Sequence, residues 1–367
     1  MKNENFPTHR PRKASALNTK AGLLLILLAG LALLLAGCGG SPSPDGGTDA
    51  PDVADSSGER RFLSLGTAPT GGAFFVVGGA LAEVAQLNGP SGWSVTAEAT
   101  QGSQENIRRL AAGELDFALA NSAITYFAVR GEATWDQNYE MRAVMTLAPN
   151  IALFVTSKDS GIQSIPDLAG KRVVVGPAGA GFEMFVNPLL DASGISYDDF
   201  NLLNGPQSAA VDMLADGSAD AAFLGGAVPT ASIVRASSSM ELHYVPYSEE
   251  AKASVLAEFP FYRPATIPSG TYRGQDADYA GLDVGSMQLI TSAAMDDDTV
   301  YAITKAIYEN AAAVVERHAA GNAIKPGNVV RDTGTPFHPG AVRFYKEAGI
   351  WPDDQTVPEA VETESGS

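Results

Sequence analysis

The stretch RFLSLGTAPTGGAFFVVGG, residues 61–79, holds the first unit of the fold. An apolar run at 61–65 leads into a turn rich in glycine and threonine, and an aromatic segment follows from Phe74. Glycine allows a partner to approach the backbone closely. A strand that passes through such a turn into a helix leaves backbone N–H groups free at the positive end of the helix dipole. The stretch therefore predicts a strand-turn-helix unit whose turn holds an anionic group.

The same alternation of short apolar runs and amphipathic segments continues along the chain and is typical of an α/β fold. The predicted strands are 62–65, 94–99, 117–120, 142–147, 152–156, 172–175, 221–224 and 242–245. The predicted helices are 74–86, 103–112, 182–192, 208–215, 228–236 and 298–318.

Two extended passages divide this pattern into two lobes. Residues 145–150 join two apolar segments without a helix between them, and residues 259–264 are again extended and broken by proline. Because they flank a self-contained α/β block, we expect them to be a pair of hinge strands. The predicted first lobe comprises 62–148 plus 265–350, and the predicted second lobe comprises 149–264.

The loops after the predicted strands share one chemistry: small residues, helix starts and neutral hydrogen-bonding side chains. Ligands bind outside the carboxyl ends of the strands in sheets of this kind, so we expect a ligand cleft between the lobes. The predicted ligand-binding residues are Thr70, Gly71, Gly72, Ala73, Phe74, Phe75, Thr100, Gly102, Ser103, Asn106, Asn121, Ser122, Gly179, Ala180, Gly181, Phe182, Gly225 and Gly226.

The residues that catalysis requires are not grouped in the sequence. The glycines at 176, 179 and 181 do not match the dinucleotide fingerprint, and no lysine follows them to form a phosphate-binding loop. The four histidines lack the spacing of a metal site, and no serine lies in a nucleophile elbow. We therefore predict no catalytic residue, no metal site and no cofactor.

The N-terminal segment reads as a secretory signal. Basic residues precede an apolar run at 21–37, which is shorter than the ~20 residues of a membrane-spanning helix. Small residues then precede Cys38, in the sequence LAGC, as in a cleavable segment. This quartet resembles the bacterial lipobox, which implies a lipoprotein signal peptide at 1–37 and lipidation of Cys38. An uncleaved membrane anchor is the alternative, and both place the protein outside the cytoplasm, attached to a bacterial cell membrane.

Composition limits the partners of the exported chain. Cys38 is the only cysteine, so we expect no intramolecular disulfide. The chain has 24 Lys and Arg against 42 Asp and Glu, a balance that opposes nucleic-acid binding. The segments 38–61 and 352–367 are polar and lack a core-forming pattern, so we expect a disordered tether and a disordered acidic tail.

Several segments, in order, resemble the TAXI family of solute receptors for TRAP (tripartite ATP-independent periplasmic) transporters. They are TQGSQENIRRLAAGELDFALANS at 100–122, SGIQSIPDLAGKRVVVGPAGAGFE at 160–183, ADGSADAAFLGGAVP at 215–229, IPSGTYRGQDAD at 267–278, VYAITKAIYEN at 300–310 and GTPFHPGAVRFYKEAG at 334–349.

This resemblance implies a type II periplasmic-binding-protein fold and a receptor that is not an enzyme. It also implies that the receptor closes on a small carboxylate, an amino acid or organic acid, and delivers it to a membrane permease. Two alternatives remain. The protein could be the binding component of a sensor kinase or an ATP-driven importer, or an exported enzyme on the same scaffold.

The chain departs from the family pattern at two places. It has Phe74 and Phe75 where the family often has paired tyrosines, and Gly-Ala-Gly-Phe at 179–182 where Gly-Ser-Gly-Thr is common. The remaining anchors are backbone N–H groups of both turns, with Ser103 and Asn106 as side-chain donors, and they suit one carboxylate. A second charged end against phenyl rings would be costly. We therefore expect a monocarboxylate, or an amino acid with an apolar side chain, in preference to glutamate.

Overall fold

The computed structural model describes residues 60–70 and 73–352. The predicted signal peptide, Cys38, most of the tether, the pair Gly71 and Gly72, and the acidic tail lie outside the described residues. No helix in those two ranges combines the length and the apolar character needed to cross a membrane.

The elements follow the predicted alternation. The strands are β1 (Arg61–Gly66), β2 (Trp93–Glu98), β3 (Phe117–Asn121), β4 (Met141–Thr146), β5 (Ile151–Ser157), β6 (Arg172–Val175), β7 (Asn201–Leu203), β8 (Ala221–Gly226), β9 (Leu242–Tyr244), β10 (Tyr262–Ile267), β11 (Tyr279–Val284) and β12 (Met287–Ser292). The helices are α1 (Ala73–Asn88), α2 (Ser103–Ala111), α3 (Ser122–Ala128), α4 (Glu183–Ala192), α5 (Gln207–Ala215), α6 (Ala231–Ser239), α7 (Glu249–Glu258), α8 (Asp297–Glu309), α9 (Ala311–Arg317) and α10 (Pro339–Glu347).

The long helix predicted at 298–318 is divided into α8 and α9 at Asn310. The backbone of Asn310 leaves the helical region, with φ −116° and ψ 28°. Its side-chain Nδ2 donates to the carbonyl oxygen of Ala306 at 2.9 Å. Asparagine side chains compete in this way with the helical hydrogen bonds of the backbone, which explains the break.

The first sheet has the strand order β2-β1-β3-β12-β4. Strands β1, β2 and β3 are parallel, and β12 is antiparallel to both β3 and β4. The carboxyl ends of the three parallel strands therefore lie at the same edge as the start of β12, where Met287 pairs with Asn121.

The second sheet has the order β10-β11-β5-β8-β6-β7, and β9 also pairs with β5. Strands β6, β7 and β8 are parallel, whereas β5 is antiparallel to β8. The hairpin of β10 and β11 extends this sheet, because Asp283 of β11 pairs with Ile151 of β5.

The chain crosses between the sheets twice, at 147–150 and at 285–286. The two crossovers are hydrogen-bonded to each other: Val284 N donates to Asn150 O, and Met287 N donates to Ala148 O, both at 2.9 Å. Strands β10 and β11 thus keep residues 262–284 with the second sheet, whereas the sequence predicts the return to the first lobe at 265. We propose lobes of 62–148 plus 285–350 and of 149–284.

Three apolar clusters stabilise this arrangement. The first contains residues of the first sheet with α1, α8 and α10, such as Leu65, Leu81 and Tyr345. The second continues from α2 and α3 into α4 and the second sheet, and joins Ile124 to Phe185. The third packs the second sheet against α5 and α6. Because the second cluster includes residues from both sheets, the two lobes share part of one core.

Candidate functional site

Loops from both sheets meet at one edge of the fold. Gly181 follows β6, and a Cβ placed on it would lie 2.9 Å from Cδ1 of Ile124 in α3. Ala227 follows β8 and packs against the same apolar cluster of the first sheet as Ala73 and Phe74. The carboxyl ends of β1, β3, β6 and β8 therefore adjoin a common region, the usual place for a ligand in such sheets.

Asn106 of α2 bonds both the loop after β1 and strand β3. Its Nδ2 donates to Thr67 O at 2.7 Å and to Leu119 O at 2.8 Å. Thr100 Oγ1 also donates to Thr67 O, at 3.1 Å. Both hydrogens of the Asn106 carboxamide are therefore used internally, and the predicted role of Asn106 as a donor to the ligand conflicts with this geometry.

Ser103 and Asn121 form the next part of the same edge. Ser103 Oγ accepts a hydrogen bond from Asn121 N at 2.9 Å. The side chain of Asn121 accepts from Ala123 N at 2.8 Å and donates to Gly285 O at 2.9 Å. Asn121 thus caps α3 and fixes the return crossover, while the hydroxyl hydrogen of Ser103 remains available to an acceptor.

Ser122 differs from its neighbours because its hydroxyl is unpaired. The residue is fully buried, and Oγ has no hydrogen-bond partner in the part of the chain that the structure describes. Its backbone N–H donates to Ser286 O at 2.9 Å. A buried hydroxyl without a partner costs about 1–3 kcal/mol. Ser122 is thus the predicted site residue whose hydroxyl most needs a partner.

The ring of Phe182 packs against the second sheet. Its centroid lies 5.1 Å from that of Phe185 and 6.5 Å from that of Phe223. A Cβ placed on Gly176 would lie 2.5 Å from Cγ of Phe182, so the ring also covers the turn after β6. The expectation that Phe182 replaces a ligand-binding hydroxyl is not supported by this position.

Gly225 is held tightly within the second lobe. Gln207 Nε2 donates to Gly225 O at 2.8 Å, and Gly225 N donates to Gln207 Oε1 at 3.2 Å. A Cβ on Gly225 would lie 2.2 Å from the Cβ of Ala152, so only glycine fits there. The backbone N–H of Gly225 is therefore used within the lobe, and Gly226 follows it toward the common region.

The other predicted residues lie in the turns or at the start of α1. Thr70 is exposed; Ala73, Phe74 and Phe75 are half-buried. Gly102 and Gly179 have φ of 114° and 73°, and a Cβ on either would meet no atom within 4 Å. Ala180 is buried. The turns around Gly102 and Gly179 thus border open space, in which a ligand can contact the backbone.

A charged pair beside the crossovers was not predicted from the sequence. Asp283 is 2% exposed and accepts from Asn150 N at 3.0 Å and from Ser286 Oγ at 2.5 Å. Arg331 Nη2 lies 3.7 Å from Asp283 Oδ2 and donates to Ser286 Oγ. Burial raises the pKa of the Asp283 carboxyl and lowers the pKa of the Arg331 guanidinium. In the sequence, the only indication of this pair is an acidic residue, Asp283, at the end of an apolar run. Arg331 lies in a loop without periodicity.

Within residues 60–70 and 73–352, no group of three or more His, Cys, Asp or Glu side chains could hold a metal ion. The described part of this edge consists of hydroxyl, carboxamide, backbone and phenyl groups. Such an arrangement can bind a small polar molecule through hydrogen bonds.

Comparison with known proteins identifies both a family and a fold. The sequence model of a family described as NMT1-like matches residues 65–349. PhnD1 from Prochlorococcus marinus (MIT 9301), in complex with methylphosphonate, superposes with a TM-score of 0.50 at 10% identity, covering 78% of this chain and 96% of that chain. This match confirms the predicted α/β fold of two lobes, as in periplasmic binding proteins.

Two further structures are similar at lower TM-scores. A protein from Bordetella bronchiseptica RB50 gives 0.49 at 15% identity, covering 80% of this chain and 91% of that chain. The alkanesulfonate-binding protein SsuA from Xanthomonas axonopodis pv. citri, bound to MOPS, gives 0.44 at 14% identity, covering 80% and 94%.

Proposed function

Because the chain belongs to the NMT1-like family, we propose that it is the extracytoplasmic solute-binding subunit of a membrane transporter. It captures a small carboxylate between its two lobes and delivers it to a permease. The protein changes conformation on binding and catalyses no reaction.

The unpaired hydroxyl of Ser122 is the observation that carries this proposal. It is fully buried at the edge where loops of both lobes meet. The return crossover is bonded directly to its backbone through Ser286 O. A ligand that pairs with this hydroxyl would remove the cost of burying it alone and would contact the hinge. Binding and lobe closure would thereby be coupled at one residue.

The proposed transporter class is TRAP. Its support is the similarity of the segments 100–122 and 160–183 to TAXI receptors. The same fold can also serve an ATP-driven importer or a sensor kinase. The test is uptake into vesicles that contain the permease encoded by a neighbouring gene. Uptake driven by an ion gradient without ATP supports the TRAP class, and uptake that requires ATP contradicts it.

The proposed ligand is a monocarboxylate or an amino acid with an apolar side chain. Phe182 no longer supports this choice, because its ring packs against Phe185 and Phe223. Phe74 and Phe75 remain half-buried beside the turn after β1 and still disfavour a second charged end. One carboxylate can instead bind the backbone of the two glycine-rich turns.

The proposed location is the outer face of a bacterial membrane, with a lipid on Cys38. Replacement Cys38→Ser should block lipidation and leave precursor that retains residues 1–37. Intact mass and detergent partitioning of membrane fractions measure both effects. A variant that still matures with a lipid attached contradicts the assignment.

A ligand screen tests the function as a whole. The mature chain is heated with glutamate, 2-oxoglutarate, leucine, short-chain 2-oxo acids and methylphosphonate. A true ligand at a hundredfold excess over its Kd adds ~2.7 kcal/mol to the free energy of unfolding. Small-angle scattering should then show compaction without turnover. Conversion of the stabilising compound into a product would place the protein among enzymes.

A further inference from the structure

A short loop segment contacts both lobes at the hinge. It comprises residues 331–334, which we call the strap. Thr146 Oγ1 donates to Arg331 O at 3.0 Å, and Gln288 Nε2 donates to Thr333 Oγ1 at 3.0 Å. Because Thr146 and Gln288 lie in β4 and β12, these two bonds attach the strap to the first sheet.

The other contacts of the strap reach the second lobe. Arg331 Nη2 lies 3.7 Å from the Asp283 carboxylate of β11. A Cβ on Gly334 would lie 3.0 Å from Cγ of Pro260, which precedes β10. The strap is therefore anchored in one lobe and contacts the other through a charge and through close packing.

The guanidinium of Arg331 is only partly paired in this arrangement. Its side chain is 12% exposed, and among residues 60–70 and 73–352 nothing accepts a hydrogen bond from Nε or Nη1. Asp283 has donors of its own, Asn150 N and Ser286 Oγ. The contribution of this ion pair therefore depends on how closely the two lobes place the charges, since a buried pair is favourable only in good geometry.

We propose that the strap is a hinge latch, in which the Arg331–Asp283 pair favours the closed arrangement of the lobes. The inference rests on the proposed function, because the cleft it controls is the proposed ligand site. Opening moves the second sheet relative to the first and separates the carboxylate from the guanidinium. In the structure, where Gly181 lies close to Ile124, the two groups are together. Neither residue needs to touch the ligand, because a shift in the closed fraction changes the apparent affinity.

The test uses the neutral double variant Asp283→Asn/Arg331→Gln. Single variants would leave one buried charge without its partner and could fail to fold, whereas the double variant removes both charges. The matched control is Arg172→Gln/Asp220→Asn, an ion pair at 2.6 Å within the second lobe, between the first residue of β6 and the residue before β8. Both are made in the full mature chain.

The first readout needs no ligand. Spin labels on Leu87→Cys and Val234→Cys, two exposed positions in different lobes, report the distance between the lobes. The labelled proteins are expressed without residues 1–37, so that Cys38→Ser removes the native thiol without affecting signal processing. We expect the ligand-free double variant to populate longer distances than the parent and the control. An unchanged distance distribution would overturn the proposal, even if the double variant is less stable.

The second readout is binding. For the tightest solute from the screen, we expect Kd to increase about three- to tenfold in the double variant through a faster off-rate. The control should bind as the parent does. An unchanged Kd in the double variant contradicts the latch. If no solute binds the parent, the proposed function fails, and the distance measurement still tests the latch.

Discussion

The backbone N–H of Ser122 donates to the carbonyl oxygen of Ser286 at 2.9 Å and so joins the start of α3 to the return crossover. Ser286 Oγ in turn donates to Asp283 in the second sheet. A ligand bound at Ser122, as proposed, would therefore be linked through two residues, Ser122 and Ser286, to the strand of the other lobe. This short path links the proposed site to the hinge.

The change Ser122→Ala should weaken ligand binding and leave the fold intact. It removes the one hydroxyl that we propose to pair with the ligand, so we expect Kd to increase about tenfold. The free energy of unfolding without ligand should be unchanged or slightly higher, because no hydrogen bond of Oγ is lost. Calorimetry and urea unfolding measure the two quantities.

The matched control for that change is Ser237→Ala. Ser237 is also buried, but it lies in α6 and its Oγ donates to Val234 O. It should bind ligand as the parent does. Equal loss of affinity in both variants would mean that Ser122 has no direct role.

Asn106→Ala should destabilise the protein strongly. It removes two buried hydrogen bonds, each worth about 0.5–1.5 kcal/mol, and of the two carbonyl oxygens Thr67 O keeps its bond from Thr100 Oγ1. We expect a total loss of about 1–3 kcal/mol in urea unfolding. The control Asn201→Ala removes one exposed bond of 3.3 Å to Gly170 O and should cost less than about 0.5 kcal/mol. If Asn106→Ala loses little stability but binds ligand poorly, the predicted role of Asn106 as a donor to the ligand is supported again.

The sequence predicted β1 to β6, β8, β9 and the glycine-rich turns because their signals are local, but it did not predict β7 or the strands β10 to β12. It missed α3, which begins at Ser122 directly after β3 without a turn. It also misread Pro264 as a sign of a hinge, although proline is tolerated in β10 because that strand lies at the edge of the sheet. Local patterns carry no information on which sheet an extended segment joins.

The site residues show the same limit. A carboxamide after a strand can bind a ligand or join segments of the chain, and only the positions of Thr67 and Leu119 show that Asn106 joins the loop after β1 to β3. Asp283 and Arg331 are far apart in the chain and meet only through the arrangement of the sheets. The packing of Phe182 likewise depends on Phe223, which lies in strand β8.

The free energy of unfolding should decrease as pH falls, because His338 binds a proton. The ring is buried, Nδ1 accepts from Gly340 N at the start of α10, and Nε2 contacts Met295 O at 3.0 Å. Burial lowers the pKa of His338 below its ordinary value. The unfolded chain therefore binds the proton at higher pH than the folded protein, and stability contributed by the neutral ring is lost as pH falls through about 6.5.

Unfolding by urea between roughly pH 7.5 and 5.5 measures this slope. In His338→Asn the cap can be kept by a side chain that does not titrate, so the slope should decrease. His318→Asn is the matched variant. Burial also lowers the pKa of His318, but this residue is less buried than His338. Its side chain caps residues 319–323. A slope that is the same in the parent and in His338→Asn would contradict the prediction. The raised pKa of Asp283 acts with the opposite sign and is common to all three proteins.

The variants Phe74→Ala and Phe182→Ala should distinguish an effect on ligand selectivity from an effect on packing. The ring of Phe182 contacts Phe185 and Phe223, so Phe182→Ala should cost about 2 kcal/mol of stability and leave the ratio of leucine to glutamate affinity unchanged. Phe74 is half-buried beside the turn after β1. Phe74→Ala should lower the ratio of leucine to glutamate affinity, because water can then solvate a second charged end of the ligand. Calorimetry with both ligands gives the ratio in each variant. If the parent binds glutamate at submicromolar Kd and neither variant changes this, the phenyl rings do not select the ligand, and the proposed preference for one carboxylate is wrong.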